Sequence, residues 1–268
     1  MFARCSFRVV ILLCLTWSDP TARAADVTPL PRAHAHNDYE HERPLLDALD
    51  EGFTSVEADV YLVEGELLVA HNPGDVKPER TLERLYLDPL QERVARHDGS
   101  VYAEPAPFLL LIDFKSEAES TYQALAARLD KYPKLFTRWT SEGRSEGPVM
   151  VVISGNRPIE TLAKQLPRQA GIDGRLADLE TEPRARLMPL VSDRWGAHFT
   201  WRGAGAIPDG ERDKLRAIVQ KAHDRGQQVR FWATADTPEM WAELHAAGAD
   251  LINTDDLAGL AAFLRRRP

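Results

Sequence analysis

From residue 30 onward the hydrophobic positions follow two alternating habits. Short apolar runs of four to seven residues, rich in Val, Ile, Leu and Phe, give way to longer stretches with apolar residues three and four apart. The first habit fits a buried strand and the second an amphipathic helix. The runs predict strands over Arg32–His36, Thr54–Val60, Phe108–Phe114, Val149–Ser154, Gly174–Leu179, Met188–Ser192, Gln228–Ala233 and Asp250–Asn253. The helical stretches are Pro44–Glu51, Glu117–Lys131, Pro158–Gln165, Glu211–Arg225, Pro238–Ala247 and Asp255–Arg266. Proline near the first turn (Pro44, Pro158, Pro238), Thr237 or Thr254 as caps, and Gly226 and Gly248 as stops support these bounds. Eight strands alternating with helices predict an α/β fold, a single (β/α)8 TIM barrel. The alternative, an open doubly wound sheet, would carry a glycine-rich loop after its first strand, where this chain has His36-Asn37-Asp38-Tyr39. The fifth strand is the weakest. Tyr86–Pro107 and Asp193–Pro208 are too long for plain connections, and such loops after barrel strands often rim an active face.

Ahead of the barrel, Arg4 and Arg8 precede an apolar run, Val9–Leu15, and Ala22-Arg23-Ala24 has the small-x-small form of a cleavage site. This pattern predicts a signal peptide over residues 1–24, a barrel over 25–268, and export to a periplasmic or secreted location. Lipid anchoring at Cys14 is disfavoured by the bulky Leu13 before it. Cys5 and Cys14 are the two cysteines of the chain, so a thiolate-built metal centre or disulfide scaffold is excluded. A formal charge of −8 argues against nucleic acid as a partner.

Chemistry concentrates where strands end. In barrels, catalytic groups project from the carboxyl ends of strands. Glu57 and Asp59 are two apart, so they share a face, and Val56, Ala58 and Val60 occupy the other. If the apolar face packs on helices, the carboxylates point into the lumen, where a hard divalent cation would offset their burial and mutual repulsion. The next strand ends in Asp113, a third oxygen donor, then Lys115. A small hairpin around Gly65 returns His71 toward His36.

The run His36-(20 residues)-Glu57-x-Asp59-(11 residues)-His71 with Asp113-x-Lys115 resembles the glycerophosphodiester phosphodiesterases. These belong to the phosphatidylinositol-specific phospholipase C-like barrels, which include the sphingomyelinase D-type toxins. Gly248–Asp255 is similar to the last-strand signature of the same group. The resemblance implies His36 and His71 as general acid and base, and Glu57, Asp59 and Asp113 as ligands of one Mg2+ or Ca2+. It further implies Lys115 on the phosphate and Trp232 at the base of the pocket. The expected activity is cleavage of a glycerophosphodiester or phospholipid head group, by cyclisation or by water, in a monomer. The chain departs from the family's usual His-Arg-Gly at the first strand, which leaves Asn37 and, by compensation, Arg43 as candidate substrate contacts. Trp195, Phe199 and Trp201 could touch a membrane surface or simply pack on their own loop. Two other readings stay open. Amidohydrolase and polymerase-histidinol-phosphatase barrels also begin with His-x-His, as in His34-x-His36, but need further histidines on later strands. A non-catalytic ligand-binding barrel is the third.

Overall fold

The computed structural model describes residues 27–267 apart from 183; the leader predicted over residues 1–24 lies outside them. Eight parallel strands close on themselves: β1 (Leu30–Ala35), β2 (Phe53–Val63), β3 (Phe108–Phe114), β4 (Val149–Gly155), β5 (Ala170–Gly174), β6 (Leu190–Arg194), β7 (Gln228–Trp232) and β8 (Leu251–Thr254). The ring is completed because β1 pairs in parallel with both β8 and β2. Besides a single turn at Trp195–His198, the α-helices are α1 (Leu46–Asp50), α2 (Asp88–Arg96), α3 (Ala118–Leu129), α4 (Ile159–Lys164), α5 (Asp209–Asp224), α6 (Pro238–Ala247) and α7 (Leu257–Arg265). The fold is the expected single (β/α)8 barrel.

The strands read as near-continuous apolar runs because parallel barrel strands are buried on both faces. Their period of two still separates two cores. Outward-facing Val56, Ala58, Val60, Leu110, Ile112 and Phe114 join the large core beneath the helices. Inward-facing Leu109, Leu111, Val152, Leu190 and Leu251 form a second, smaller cluster that floors the lumen. Above that floor the inward positions turn polar, with Glu57 and Asp59 on β2, Asp113 on β3, Ser154 on β4, Asp173 on β5 and Arg230 on β7.

Two elements differ from the sequence expectation. The fifth strand is Ala170–Gly174, and Leu176–Leu179, predicted as part of that strand, lies in a 3-10 turn, Leu176–Glu180, in place of a fifth helix. Two glycines and an inward aspartate in five residues leave this strand almost no apolar signal. The stretch Tyr86–Pro107, expected as a loop, contains α2, which buries only Leu90 and Val94. So thin an apolar stripe is hard to see, although Pro89 in its first turn marks the start. The final helix is capped by Asp256, whose side chain accepts from the Gly259 N–H, and not by Thr254. Thr237 caps α6 as expected. Trp195 and Phe199 stack at 4.0 Å, both meet Phe231 edge-on, and Trp195 Nε1 donates to the Trp201 carbonyl. All three rings of this loop are buried, so they supply the loop's own core and no membrane-facing surface.

Candidate active site

The strand registers build the site. Asp59 lies beside Asp113, and Glu57 beside Leu111, in the β2–β3 pair. Carboxylate oxygens of Glu57, Asp59 and Asp113 come within 4.8 Å of one another. His71 is returned by a two-residue turn, Glu64-Gly65, with both φ angles positive (50° and 86°). That geometry matches the twist of a tight hairpin, and glycine adopts it without strain. The return strand Glu66–Val69 pairs antiparallel with β2 and carries the chain back to Asp59.

Asp59 Oδ2 accepts from the Tyr39 hydroxyl at 2.7 Å and pairs with Lys115 Nζ at 2.9 Å, while His71 Nδ1 lies 3.3 Å away. Lys115 also reaches Asp113 Oδ1 at 3.0 Å. Glu57 is paired with Arg230 at 2.9 Å, and His34 Nε2 stands 3.4 Å from it. Burial pushes Asp59 up to about 6, aided by the Glu57 charge, against the pull of Lys115 and the Tyr39 hydrogen bond. Burial likewise raises Asp113, Lys115 notwithstanding. Burial works against ionisation of Glu57 too, but the Arg230 charge and the His34 hydrogen bond hold it well below the usual carboxylate range. Three carboxylates thus face two fixed cations.

The donor set fits a hard cation. It is all oxygen, and Asp59 Oδ1 is buried without a hydrogen-bond partner. Among the described residues this triad is the one cluster of three or more ligating side chains able to hold a metal. No histidine from the later strands joins it: His198 pairs with Asp193 and His223 with Asp250. That argues against the imidazole-rich amidohydrolase arrangement.

His36, at the end of β1, holds its Nδ1 2.8 Å from Asp255 Oδ1 and 3.0 Å from Asn37 Nδ2. Burial would lower its affinity for a proton, but the Asp255 hydrogen bond and the Glu57 charge outweigh it and raise the pKa. His71 Nδ1 is 2.9 Å from the Tyr39 hydroxyl, and the two rings stack. Asn37 Oδ1 lies 2.7 Å from the same hydroxyl. Trp232 ends β7 on the face of Arg230 and is half-buried.

Arg43 is the site residue that does not arrive. It pairs with Asp47 and Asp50 of α1, each at 2.7 Å, on the exposed surface. A guanidinium takes the nearest carboxylates, and two lie within seven residues. The residues that sequence reasoning left without a role are Arg230, Tyr39, His34 and Asp255. Arg230 carried a signal, since a charge alternating with Val229 and Phe231 faces the lumen and must be paired there. Tyr39 had none, because its three polar contacts come from three separate segments. His34 is fully buried, with Nδ1 2.7 Å from Ser55 Oγ. Burial, helped by Arg230, pushes it down to about 3, so the imidazole is neutral.

Two solved structures share the barrel: glycerophosphodiester phosphodiesterases from Parabacteroides distasonis (TM-score 0.53, 14% identity, 90% of this chain and 99% of that one) and Agrobacterium tumefaciens (0.51, 13%, 88% and 99%). At such identities the likeness establishes the fold. The AIM6-like phosphodiesterase domain description matches residues 21–172, and the glycerophosphoryl diester phosphodiesterase family description matches 228–258. The two matches together span every triad, imidazole and lumen-arginine position above. Among curated proteins, altered inheritance of mitochondria protein 6 of Eremothecium gossypii is 33% identical over 89% of this chain and 70% of its own length. The Arthroderma benhamiae homologue is 27% identical (89% and 85%), and the Saccharomyces cerevisiae protein 29% (87% and 70%). The chain belongs to the AIM6-like phosphodiesterase family.

These relatives overturn the expectation of export. They are fungal proteins named for mitochondrial inheritance, a name that points away from an exported location. The physical reason is that a basic start and a short apolar run are a composition shared by several kinds of targeting segment, so they do not specify the destination.

Proposed function

We propose that this chain is a metal-dependent phosphodiesterase acting on a glycerophosphodiester or phospholipid head group. The observation that carries the reading is a pair of imidazoles beside a crowded carboxylate triad. Each has Nδ1 within reach of a carboxylate, and neither has an Nε2 partner among the described residues. A carboxylate on Nδ1 fixes the tautomer and leaves Nε2 for the substrate. Glu57, Asp59 and Asp113 would hold one Mg2+ or Ca2+, which would neutralise phosphate charge and stabilise it as it develops. His36, with its raised proton affinity, suits the acid that protonates the leaving alkoxide. His71, oriented by Asp59 and Tyr39, suits the base that takes the proton from the attacking hydroxyl, whether of the substrate or of water. Lys115 adds a point charge at the phosphate, and Trp232 lines the pocket beneath the head group. Asn37 acts by holding the Tyr39 hydroxyl and flanking His36. Burial and the Asp59 charge push the Tyr39 phenol far above its ordinary pKa, so it remains a neutral positioning group.

Phosphorus NMR against glycerophosphodiesters, phosphoinositides and sphingomyelin, with Mg2+ or Ca2+ supplied, reads the bond broken and the product together. His36→Ala and His71→Ala are each expected to reduce turnover by about 10²–10⁴ while divalent binding survives. Wild-type turnover in both variants would overturn the acid–base assignment, and the absence of turnover on the whole panel would favour a binding barrel.

A further inference from the structure

The barrel mouth is electrically divided. The triad occupies the ends of β2 and β3, and the adjoining ends of β4, β5 and β6 carry arginines. Ser154 lies in register beside Asp113. Its hydroxyl donates to Asp173 Oδ2 at 2.9 Å, as does that of Ser192 at 2.6 Å, so one buried carboxylate ties together three successive strands. Above it stand Arg157 and Arg175. Arg175 NH1 pairs with Asp173 Oδ2 at 2.8 Å. Arg157 NH1 donates to the Asp173 carbonyl oxygen at 2.5 Å, yet no carboxylate lies within ion-pair distance of its guanidinium among the described residues. Arg157 is half-buried, and burial and the like charge of Arg175 depress its pKa against the opposing pull of Asp173, Asp178 and Asp113. Arg194, exposed at the end of β6, likewise has no acidic partner among the described residues. A half-buried guanidinium with no carboxylate in ion-pair contact, beside a second one that shares Asp173 with two serine hydroxyls, is a costly arrangement that an anion would relieve. The planar N–H fork of arginine matches phosphate or carboxylate oxygens.

We infer that Arg157 and Arg175, flanked by Arg194, form a second anion subsite beside the triad, so that the favoured substrate is a phosphodiester whose head group bears a further phosphate or carboxylate. The inference rests on the phosphodiesterase reading of the triad and names the substrate class for it. The cleaved diester occupies the triad and Lys115, and the second anion lies across Ser154 against the arginines.

The test compares kcat/KM for glycerophosphoglycerol and for the same diester carrying a terminal phosphate. A parallel arm uses the diacyl parents of both in phosphatidylcholine vesicles, which separates a soluble from a lipid source of the same chemistry. Wild type is expected to favour the phosphorylated member by about tenfold or more. In Arg157→Gln/Arg175→Gln the ratio falls to near unity, and in Arg157→Lys/Arg175→Lys, which keeps the charge, it is partly restored. A folding defect lowers both rates together and leaves the ratio unmoved. A wild-type ratio near unity, or one unchanged in the glutamine variant, overturns the subsite. Should no diester of this pair or of the phosphorus NMR panel be turned over, the phosphodiesterase reading fails. Calorimetric Kd values for the two soluble compounds then decide the subsite by the same ratio.

Discussion

Asp38, two residues past the first imidazole, shows how far burial can set the state of one side chain. Its Oδ2 accepts from the Leu45 N–H at 2.5 Å and the Tyr86 hydroxyl at 2.8 Å, while Oδ1 is buried with no partner. Burial pushes its pKa up to about 7, against the lowering effect of those two hydrogen bonds. Because the folded value exceeds the unfolded one, the folded state keeps the extra proton between them. Its stabilising contribution is complete below the unfolded pKa of about 3.9 and is lost as pH rises through about 7. Asp38→Asn supplies the same acceptor oxygen without a charge. It is expected to gain on wild type by up to roughly 4 kcal/mol between about pH 4 and pH 8. Urea unfolding of both proteins across that range checks this, and parallel curves would show that Asp38 does not titrate near neutrality. The same competition explains Glu57, which is as buried as Asp38 but ionised, because Arg230 lies 2.9 Å away.

At the scale of elements, β3 and β4 set the position of the third carboxylate. Gly155 ends β4 with φ at 66°, and a Cβ there would fall inside contact distance of Asp113 Oδ1 and 2.5 Å from the Phe114 carbonyl oxygen. Gly155→Ala therefore meets both backbone strain and a displaced ligand carboxylate. We expect a loss of about 1–3 kcal/mol in stability and weaker divalent binding, read by thermal unfolding and by calorimetry with Mg2+ and Ca2+. Unchanged binding would mean that Asp113 has room to swing without leaving the triad. The elements also mark where sequence reading succeeds. β3 was predicted to the residue, because seven consecutive positions are apolar or end in the acidic group. β5 was displaced by four residues, because its inward positions are spent on Gly171 and Asp173, and α2 was hidden because a helix that buries two side chains has almost no periodic signal.

For the whole molecule, closure of the barrel crowds three carboxylates against two cations, and under the proposed metal reading that residual charge would couple stability to divalent ions. At a concentration about a hundredfold above Kd, Mg2+ or Ca2+ is expected to stabilise the fold by about 2.7 kcal/mol, a rise in Tm of roughly 5–10 °C. Chelator reverses the rise, and Glu57→Gln/Asp59→Asn/Asp113→Asn abolishes it. A shift that persists in the triple variant would place the ion elsewhere. The chain alone determined the barrel, the inward face of β2, and the grouping of His36, Glu57, Asp59, His71, Asp113 and Lys115. Alternation of polar and apolar residues is a property of contiguous positions, and it survives in a one-dimensional reading. Tertiary structure decided which charge answers which: Arg230 on Glu57, Asp255 on His36, Tyr39 between Asp59 and His71, and Arg43 drawn away to α1. Those pairings are settled by distance among groups up to 219 residues apart in the chain, and only closure of the ring makes such distances short.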